Sequence, residues 1–302
     1  MKTAVIIINW NGLQDTMECI ESLELSAENS DIIVVDNRSL NSEAGKIRLA
    51  HPNITVISLD KNYGFSYANN RGMELALSRN NDAILLLNND TVVTKNFLEP
   101  LKRASQKNPQ AGILTPKILF FQTDKIWAAG GAINYLFARG TNRGEGRLDR
   151  QVEVNTRPDF ISGCCMYIPA KVARQIRFDE RYFLYYEDSD ISFQARQLGY
   201  QLLYVPESTI YHKSGRSSGS LLSYRRIYYL SRNKLLFVRQ RFSLKQKIIF
   251  WTCYPFQTIL MFLYFIIKAP KKLSLPLIRA WTKGACDYFK NRFGPLLETH
   301  ST

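Results

Sequence analysis

Three carboxylates lie within four positions of the sequence, at Glu187, Asp188 and Asp190. They follow an aromatic run from Tyr182 to Tyr186, and apolar residues recur after them at helical spacing until Gly199. A capped surface helix would explain the cluster, because acidic side chains in a first turn interact favourably with the helix dipole. The aromatic wall favours a second interpretation, in which a partly desolvated carboxylate serves as a general base.

The elements that must position this cluster are alternating strands and helices. Strands are expected at Thr3–Ile8, Asp31–Asp36, Ile54–Leu59 and Ala83–Asn88, and helices between them at Gly12–Leu25, Leu40–Ala50 and Ser66–Arg79. Near-continuous runs of Val, Ile and Leu are typical of parallel strands that are buried on both faces. The sequence therefore predicts an α/β fold with a Rossmann-like, mostly parallel sheet flanked by helices.

Polar residues follow each of these strands, which favours a nucleotide-like ligand at the carboxyl edge of the sheet. They are Asn9-Trp10-Asn11-Gly12, Asp36-Asn37, residues 60–64 and Asn88-Asn89-Asp90. The sequence contains neither GxGxxG after the first strand nor a P-loop, so a diphosphate needs another partner for its charge. A divalent metal on Asp90 is one interpretation. A helix cap before a segment that starts at Lys95 is the other.

The middle of the chain gives weaker signals. Residues 128–150 interleave glycines with arginines, which suits either a lid over an anionic substrate or a plain loop. A strand broken by Gly163 and a short helix opened by Pro169 come next, then a strand at Gln201–Pro206. His212, which follows that strand, is either structural or a metal ligand. The five scattered cysteines indicate reduced thiols, with Cys164 and Cys165 as packed side chains.

The net charge of +14 is concentrated in one part of the chain, since residues 224–302 contain 15 Lys and Arg against two acidic residues. This predicts a catalytic domain at 1–220 and a basic region at 221–302. Residues 248–267 carry no charge, and as a helix they would extend about 30 Å. Basic flanks on both sides favour attachment to an anionic membrane surface, with one or two spans as the runner-up. A buried helix or a homodimer interface remains an alternative.

The motifs resemble, in order, those of the inverting family 2 glycosyltransferases with the GT-A fold, in their rhamnosyltransferase-like bacterial branch. The resemblance covers residues 3–235. It rests on Val5–Gly12, Val34-Val35-Asp36-Asn37 with Ser39, 62–72, 85–90 at the DxD position, Ser162-Gly163, Glu187-Asp188-Ser189-Asp190 with Arg196, and His212 with Gly215 and Ser217. The DxD position holds one carboxylate, which is the form expected of that branch.

The resemblance implies a role for each candidate residue. Trp10 would stack on the base and Asp36 would accept its ring N–H. Asp90 and His212 would bind a divalent metal, Mg²⁺ or Mn²⁺, and Asp188 would be the general base. Glu187 and Asp190 would position the acceptor or pair with Arg196. The nucleotide-sugar site would consist of Asn9, Trp10, Asn11, Asp36, Asn62, Gly64, Asn70 and Asn89.

The implied function is inverting transfer of a sugar, with rhamnose favoured, from a dTDP- or UDP-sugar to a lipid-linked saccharide in cell-surface polysaccharide synthesis, such as that of O-antigen. The enzyme would be attached to the cytoplasmic face of the bacterial inner membrane. The alternatives are N-acetylglucosamine, galactofuranose or glucose from a UDP-sugar, a nucleotidyltransferase, and a nucleic-acid-binding protein with a basic tail. The last is disfavoured because the tail's aromatic residues form an apolar run without interleaved basic residues.

Overall fold

A computed structural model describes residues 1–26, 30–149, 157–214 and 222–296. Within these ranges one large sheet has the strand order β3-β2-β1-β4-β10-β6-β11-β5, and β7 pairs with β6 at its side. Its strands are β1 (Thr3–Asn9), β2 (Asp31–Asp36), β3 (Thr55–Ser58), β4 (Ala83–Asn88), β5 (Thr91–Val93), β6 (Ala111–Phe120), β7 (Ile126–Ala128), β10 (Cys165–Pro169) and β11 (Gln201–His212). The first four strands are parallel, and β10 is antiparallel to β4.

Helices cover both faces of this sheet, so the predicted α/β fold is confirmed. They are α1 (Leu13–Leu25), α2 (Glu43–Ala50), α3 (Phe65–Ser78), α4 (Leu98–Lys107), α5 (Ala170–Ala173) and α6 (Glu187–Gln197). Alternate residues of β1 enter two different cores. Val5 and Ile7 face the core with α1 and α4, and Ala4 and Ile6 face the core with α3, α5 and α6. Burial on both faces explains why β1 is almost continuously apolar.

The segment after β7 is not a plain loop, because it contains the hairpin of β8 (Gly131–Asn134) and β9 (Arg139–Asn142). Its glycines make room for an aromatic ring. A Cβ atom on Gly131 or Gly140 would approach the ring of Phe160 to 2.1 Å or 2.9 Å. Arg150, at the end of the predicted loop, lies outside the described residues.

Two other expectations also need correction. Asn89-Asp90-Thr91 does not cap a helix, because β5 starts at Thr91 and α4 only at Leu98. The strand expected to stop at Pro206 continues to His212, since a bulge between Val205 and Thr209 lets β11 pair with β6 along its length. This extension brings His212 next to β5, where it pairs with Thr91.

Among the described residues after 221, three helices follow: α7 (Tyr224–Arg241), α8 (Leu244–Lys268) and α9 (Lys271–Phe289). α8 is a single helix that continues through Pro255 and begins with a capping box at Ser243. Its inner face buries Phe250, Gln257 and Phe265. Among the described residues, α8 is the one helix that is long and apolar enough to cross a membrane.

Large apolar side chains cover the outer face of α8. Among them Phe256 is 73% exposed and Ile267 is 71% exposed. Lys245 and Lys268 are exposed near the two ends of the helix. The apolar patch and its basic flanks therefore lie on one surface element, as the sequence indicated.

Candidate active site

The carboxyl ends of β1 and β2 are joined by the side chain of Asn9. Its Nδ2 donates to Asp36 Oδ1 (2.7 Å), to the Ser39 hydroxyl (2.9 Å) and to Glu43 (3.0 Å), and its Oδ1 accepts from Thr16 (2.7 Å). All of these side chains but Ser39 are buried. Asn9 thus fixes the orientation of Asp36, whose other oxygen accepts from the backbone N–H of Ser39.

Trp10 is the apolar surface at this edge, with 39% of its side chain exposed. The guanidinium of Arg225, on α7, lies 5.0 Å from the centre of its indole ring. The next residue, Asn11, has a positive φ of 52° and accepts the backbone N–H of Leu40 at 2.7 Å. Asn11 therefore shapes the turn, while Trp10 presents a flat aromatic face.

Asn89 packs the end of β4 against the start of α1. Its Nδ2 donates to the hydroxyl of Thr16 at 3.0 Å. A Cβ atom on Gly12 would lie 2.5 Å from that nitrogen, so any other residue there would displace the Asn89 amide. The ends of β1 and β4 are thereby held together.

The loop between β3 and α3 is held by Asn62 and Gly64. Asn62 Oδ1 accepts from Asn37 (3.0 Å) and from the Gly64 backbone (2.9 Å). Gly64 has a φ of 89°, and a Cβ atom there would lie 2.5 Å from the carbonyl oxygen of Phe183. Both the conformation and the close contact require glycine.

Asn70, in α3, binds the segment that follows α5. Its amide binds the backbone N–H of Phe178 (3.1 Å), the carbonyl of Phe178 (2.9 Å) and Glu180 (2.9 Å). It connects α3 to the segment that leads into the acid cluster, which is Glu187, Asp188 and Asp190.

Asp90 and His212 meet where β5 pairs with β11. Asp90 Oδ1 lies 3.1 Å from His212 Nε2, and both side chains are buried. The other ring nitrogen, Nδ1, is buried without a hydrogen-bond partner in the structure. A carboxylate and an imidazole in contact are a donor set suited to a divalent metal, so the residues present fit one. No described group of three His, Cys, Asp or Glu side chains converges to hold a metal.

The acid cluster lies in the first turn of α6, and its three members differ in their surroundings. Asp188 accepts from the backbone N–H groups of Ser189 (2.7 Å) and Gly163 (3.3 Å). Burial raises the pKa of Asp188, and these hydrogen bonds oppose the rise. Burial also raises the pKa of Glu187, well above its ordinary value, and the charge of Asp188 raises it further. One oxygen of Glu187 is buried and has no hydrogen-bond partner among the described residues.

Asp190 is fully buried and paired. Arg241, at the end of α7, binds both of its oxygens at 2.6 Å and 2.9 Å. The hydroxyl of Tyr182 lies 3.0 Å from Oδ1, and Gln194 donates to Oδ2 at 2.8 Å. The expected pairing of Arg196 with Glu187 or Asp190 is wrong, since Arg196 donates to the carbonyl of Asp159 at 3.1 Å.

The backbone in front of the acid cluster is unusual. In the positive-φ loop, residues 181–186, the non-glycine residues Phe183, Tyr185 and Tyr186 have φ values of 62°, 68° and 75°. Each such residue costs on the order of 1–3 kcal/mol, so the surroundings must hold the loop in place. The backbone path of this loop places Glu187 at the start of α6.

Two adjacent side chains of α7 hold this loop. Asn233 Nδ2 donates to the carbonyls of Tyr182 (2.8 Å), Leu184 (2.8 Å) and Tyr185 (2.9 Å). Arg232 donates to the carbonyls of Arg181 (3.1 Å) and Tyr182 (3.0 Å). Neither residue was predicted from the sequence. The local signal is a run of four polar residues, from Ser231 to Lys234, between two apolar stretches of α7.

A short segment links the acid cluster to the end of β4. The backbone N–H of Asn88 donates to the carbonyl of Cys164 at 2.9 Å, and the neighbouring Gly163 donates to Asp188. The Cys164 and Cys165 thiols are buried, as expected for packed side chains, and burial raises both of their pKa values. The motif residues Gly215 and Ser217 lie outside the described residues.

Comparison with solved structures shows the same fold at low sequence identity. GalNAc-T7 with UDP, GalNAc and Mn²⁺ has a TM-score of 0.64 and 16% identity over 97% of this chain, which spans 58% of that protein. The mannosyltransferase PcManGT from Pyrobaculum calidifontis, in complex with GDP-Man and Mn²⁺, has a TM-score of 0.56 and 11% identity over 96% of this chain and 88% of its own. TarS from S. aureus, residues 1–349, has a TM-score of 0.57 and 14% identity over 97% of this chain and 83% of its own.

Sequence comparison is more specific. The N-acetylglucosaminyl-diphospho-decaprenol L-rhamnosyltransferase of Mycobacterium tuberculosis is 23% identical over 222 residues, which are 66% of this chain and 72% of that protein. The family model for Glycosyl transferase family 2 matches residues 4–176, more than half of the chain. The chain is therefore a glycosyltransferase that belongs to family 2, with the GT-A fold and a resemblance to the rhamnosyltransferases.

Proposed function

We propose that this protein transfers a sugar, with inversion, from a nucleoside-diphosphate sugar to a hydroxyl of a lipid-linked saccharide. The observation that carries the proposal is the link through Gly163 and Cys164. It attaches the Asp188 carboxylate to the end of β4, beside the strand turn that leads to Asp90. The proposed base and the proposed site for the leaving diphosphate are thereby joined through one short segment.

Asp188 acts as the general base. It takes the proton of the acceptor hydroxyl, and the freed oxygen forms a bond to the anomeric carbon of the donor. The bond between that carbon and the diphosphate oxygen breaks, and its electron pair leaves with the nucleoside diphosphate. A single displacement of this kind inverts the anomeric configuration. The N–H donors of Ser189 and Gly163 support the ionised form that a base requires.

Asp90 and His212 would hold a divalent metal, Mg²⁺ or Mn²⁺. When bound, such an ion supplies positive charge to the departing diphosphate, so no side chain needs to protonate the leaving group. The contact of 3.1 Å between Asp90 and His212 supports this assignment. Mn²⁺ in the structures of GalNAc-T7 and PcManGT is consistent with it.

The donor base stacks on Trp10, and Asp36 accepts its ring N–H. The exposed indole supports the first role, and the hydrogen bonds from Asn9 and Ser39 support the second, because they leave Asp36 fixed at the sheet edge. We assign Asn9, Asn11, Asn62, Gly64 and Asn89 to shaping this site, because they bind the turns and strand ends that surround it. Asn70 instead binds the segment that leads into the acid cluster. Rhamnose is the favoured sugar because the relative from Mycobacterium tuberculosis is named a rhamnosyltransferase.

The acceptor is presented at a membrane. The exposed apolar face of α8 with its lysine flanks supports attachment to the cytoplasmic leaflet. The name of the same relative includes a diphospho-decaprenol acceptor, which is lipid-linked. Attachment through α8 would place the active site close to such a substrate.

The test is transfer by an Asp188→Asn variant, with N-acetylglucosamine joined through a diphosphate to an alkyl chain as acceptor and dTDP-rhamnose or a UDP-sugar as donor. We expect the rate to fall by about 100- to 10,000-fold. Asp124→Asn, at an exposed turn, is the matched control and should retain full activity. A rate within a few-fold of wild type for Asp188→Asn contradicts the assigned base, and absence of transfer from every donor contradicts the function.

A further inference from the structure

Lys234 is a buried cation in the middle of α7, only 8% exposed. Its ammonium lies 5.1 Å from the centre of the Trp281 ring, on α9. Burial, reinforced by the positive charge of Arg139, lowers the pKa of Lys234 to about 8. A buried lysine is usually paired with an acid, because an isolated buried charge is costly.

No such acid lies beside Lys234 in the part of the chain that the structure describes. Lys234 takes part in none of the ion pairs there, unlike Lys283 of α9, which binds Asp287 at 2.8 Å. The indole of its neighbour Trp281 is also buried. Among the described residues, the Lys234 ammonium therefore lies against an aromatic ring and has no acidic partner.

Arg139 brings a second positive charge near Lys234, because its hairpin shares a buried apolar cluster with Leu235 and Leu236 of α7. It starts β9, directly after Ala138, whose carbonyl accepts the hydroxyl of Tyr186 at 2.8 Å. On the other side, Gln257 of α8 donates to the carbonyl of Leu136 at 2.8 Å. The tip of the hairpin is thus fixed between the positive-φ loop and the membrane-facing helix.

These connections define where the two cations lie. Tyr186 is two residues before Asp188, so the hairpin adjoins the acceptor side of the candidate active site. Gln257 belongs to the inner face of α8, whose outer face is the exposed apolar patch. A molecule with its sugar at Asp188 and its lipid at α8 would have its connecting group between them.

We propose that Lys234 and Arg139 form a subsite for the diphosphate of a lipid-linked acceptor. This inference rests on the proposed function. A diphosphate offers several acceptor oxygens and negative charge. The Lys234 ammonium lacks both among the described residues. A diphosphate would also favour the charged form of Lys234, which burial alone disfavours. The headgroup of an anionic phospholipid has similar phosphate chemistry, but the contact of the hairpin with Tyr186, two residues before Asp188, favours the substrate.

The first experiment compares two acceptors in detergent micelles without added phospholipid. One carries N-acetylglucosamine on an alkyl diphosphate, and the other carries the same sugar on the same alkyl chain through a neutral ether. We expect Lys234→Gln and Arg139→Gln to raise the KM for the diphosphate acceptor by about 10- to 100-fold. Transfer to the ether acceptor and the KM for the donor should stay within about threefold, and Lys234→Arg should recover most of the affinity.

The second experiment measures binding without turnover. Titration calorimetry with dodecyl diphosphate in the presence of EDTA should show binding to wild type. The affinity of both variants should be at least about tenfold lower. Arg103→Gln, on the exposed surface of α4, is the charge-matched control. Arg139 is exposed, so its variant tests the subsite even if Lys234→Gln does not fold.

The outcomes separate the possible errors. An equal rise in KM for both acceptors indicates a structural role and overturns the subsite. Unchanged binding of dodecyl diphosphate in the variants also overturns it. Loss of affinity for phosphatidylglycerol vesicles, with unchanged use of the diphosphate acceptor in micelles, assigns the cations to a lipid headgroup and also overturns it. Failure of wild type to transfer sugar to either acceptor contradicts the proposed function, while the calorimetric result still decides the subsite.

Discussion

Arg241 binds both carboxylate oxygens of Asp190 from a position 51 residues further along the chain. Asp190 is fully buried, so the pair joins α6 and α7 inside the protein. Removing one partner of a buried ion pair leaves a charge without compensation, which typically costs about 3–5 kcal/mol. The contact therefore makes the folded state of the acid cluster dependent on α7.

We accordingly expect Arg241→Gln to lower the free energy of unfolding by about 3 kcal/mol, as measured by urea denaturation. The double variant with Asp190→Asn should be less destabilised than the sum of the two single variants. Arg239→Gln, two positions away and exposed, should change stability by less than about 0.5 kcal/mol. Additive effects would show that the two side chains do not interact.

Replacing Asn233 should lower turnover as well as stability. Replacement by Ala removes three hydrogen bonds from the positive-φ loop, so Asp188 would no longer be held in one position. We expect kcat to fall by about 100-fold with the KM for the donor unchanged, because small displacements of a catalytic group have effects of this size.

Steady-state kinetics at saturating acceptor would measure this effect. Asn108→Ala, which removes an exposed side-chain hydrogen bond at the end of α4, is the control. If kcat fell only in proportion to the fraction of unfolded protein, the loop would have no positioning role.

The raised pKa of Glu187 predicts a pH-dependent stability. The folded protein keeps a proton on this group at pH values where the unfolded chain, with an ordinary value of 4.5, has lost it. The resulting stabilisation is complete below the ordinary pKa and is lost as the pH rises through the raised one. Glu187→Gln should therefore unfold at higher urea concentration than wild type at pH 8, and the difference should vanish towards pH 4.

Unfolding curves at several pH values would test this. Glu145→Gln, in an exposed turn, should match wild type throughout. A difference for Glu187→Gln that did not depend on pH would exclude titration of Glu187 as its cause.

Metal-dependent transfer should require the side chains of Asp90 and His212. We expect EDTA to abolish transfer and Mn²⁺ or Mg²⁺ to restore it, and Asp90→Asn and His212→Asn to lower the rate by about 100-fold or more. Titration calorimetry with Mn²⁺ in the presence of a nucleoside diphosphate would measure the accompanying loss of metal affinity. His51→Asn replaces another buried histidine, which binds Glu24, and should retain activity. Full activity in EDTA would contradict the assignment.

Membrane attachment should depend on the outer face of α8. Ile259 and Leu263, one helical turn apart, are 57% and 47% exposed. Replacing both with Glu should weaken co-sedimentation with phosphatidylglycerol vesicles by at least about tenfold, because apolar burial and charge attraction are both reduced. Leu49→Glu, at an 86% exposed site on α2, is the control. Equal binding by all three proteins would rule out this face as the attachment surface.

The sequence predicted those features whose signals are local. β2 and β4 match their expected bounds because each is a short apolar run that ends at a polar group, and α6 begins at Glu187, where the aromatic run ends. The hairpin of β8 and β9 was missed because its strands are short and contain glycines that fit around Phe160. Arg241 and Asn233 were missed because each meets its partner about 50 residues away, and nothing local indicates such a contact.

The contacts of Arg232, Asn233 and Arg241 also bear on how the protein can be shortened. A soluble enzyme made by ending the chain at the predicted boundary near residue 220 would lack all of α7. It would keep Asp188 in its sequence but lose the donors that bind the positive-φ loop and the partner of Asp190. Laboratory truncations meant to remove α8 should therefore end beyond Arg241, and exchanging the C-terminal region for that of another enzyme would also exchange the side chains that hold the positive-φ loop.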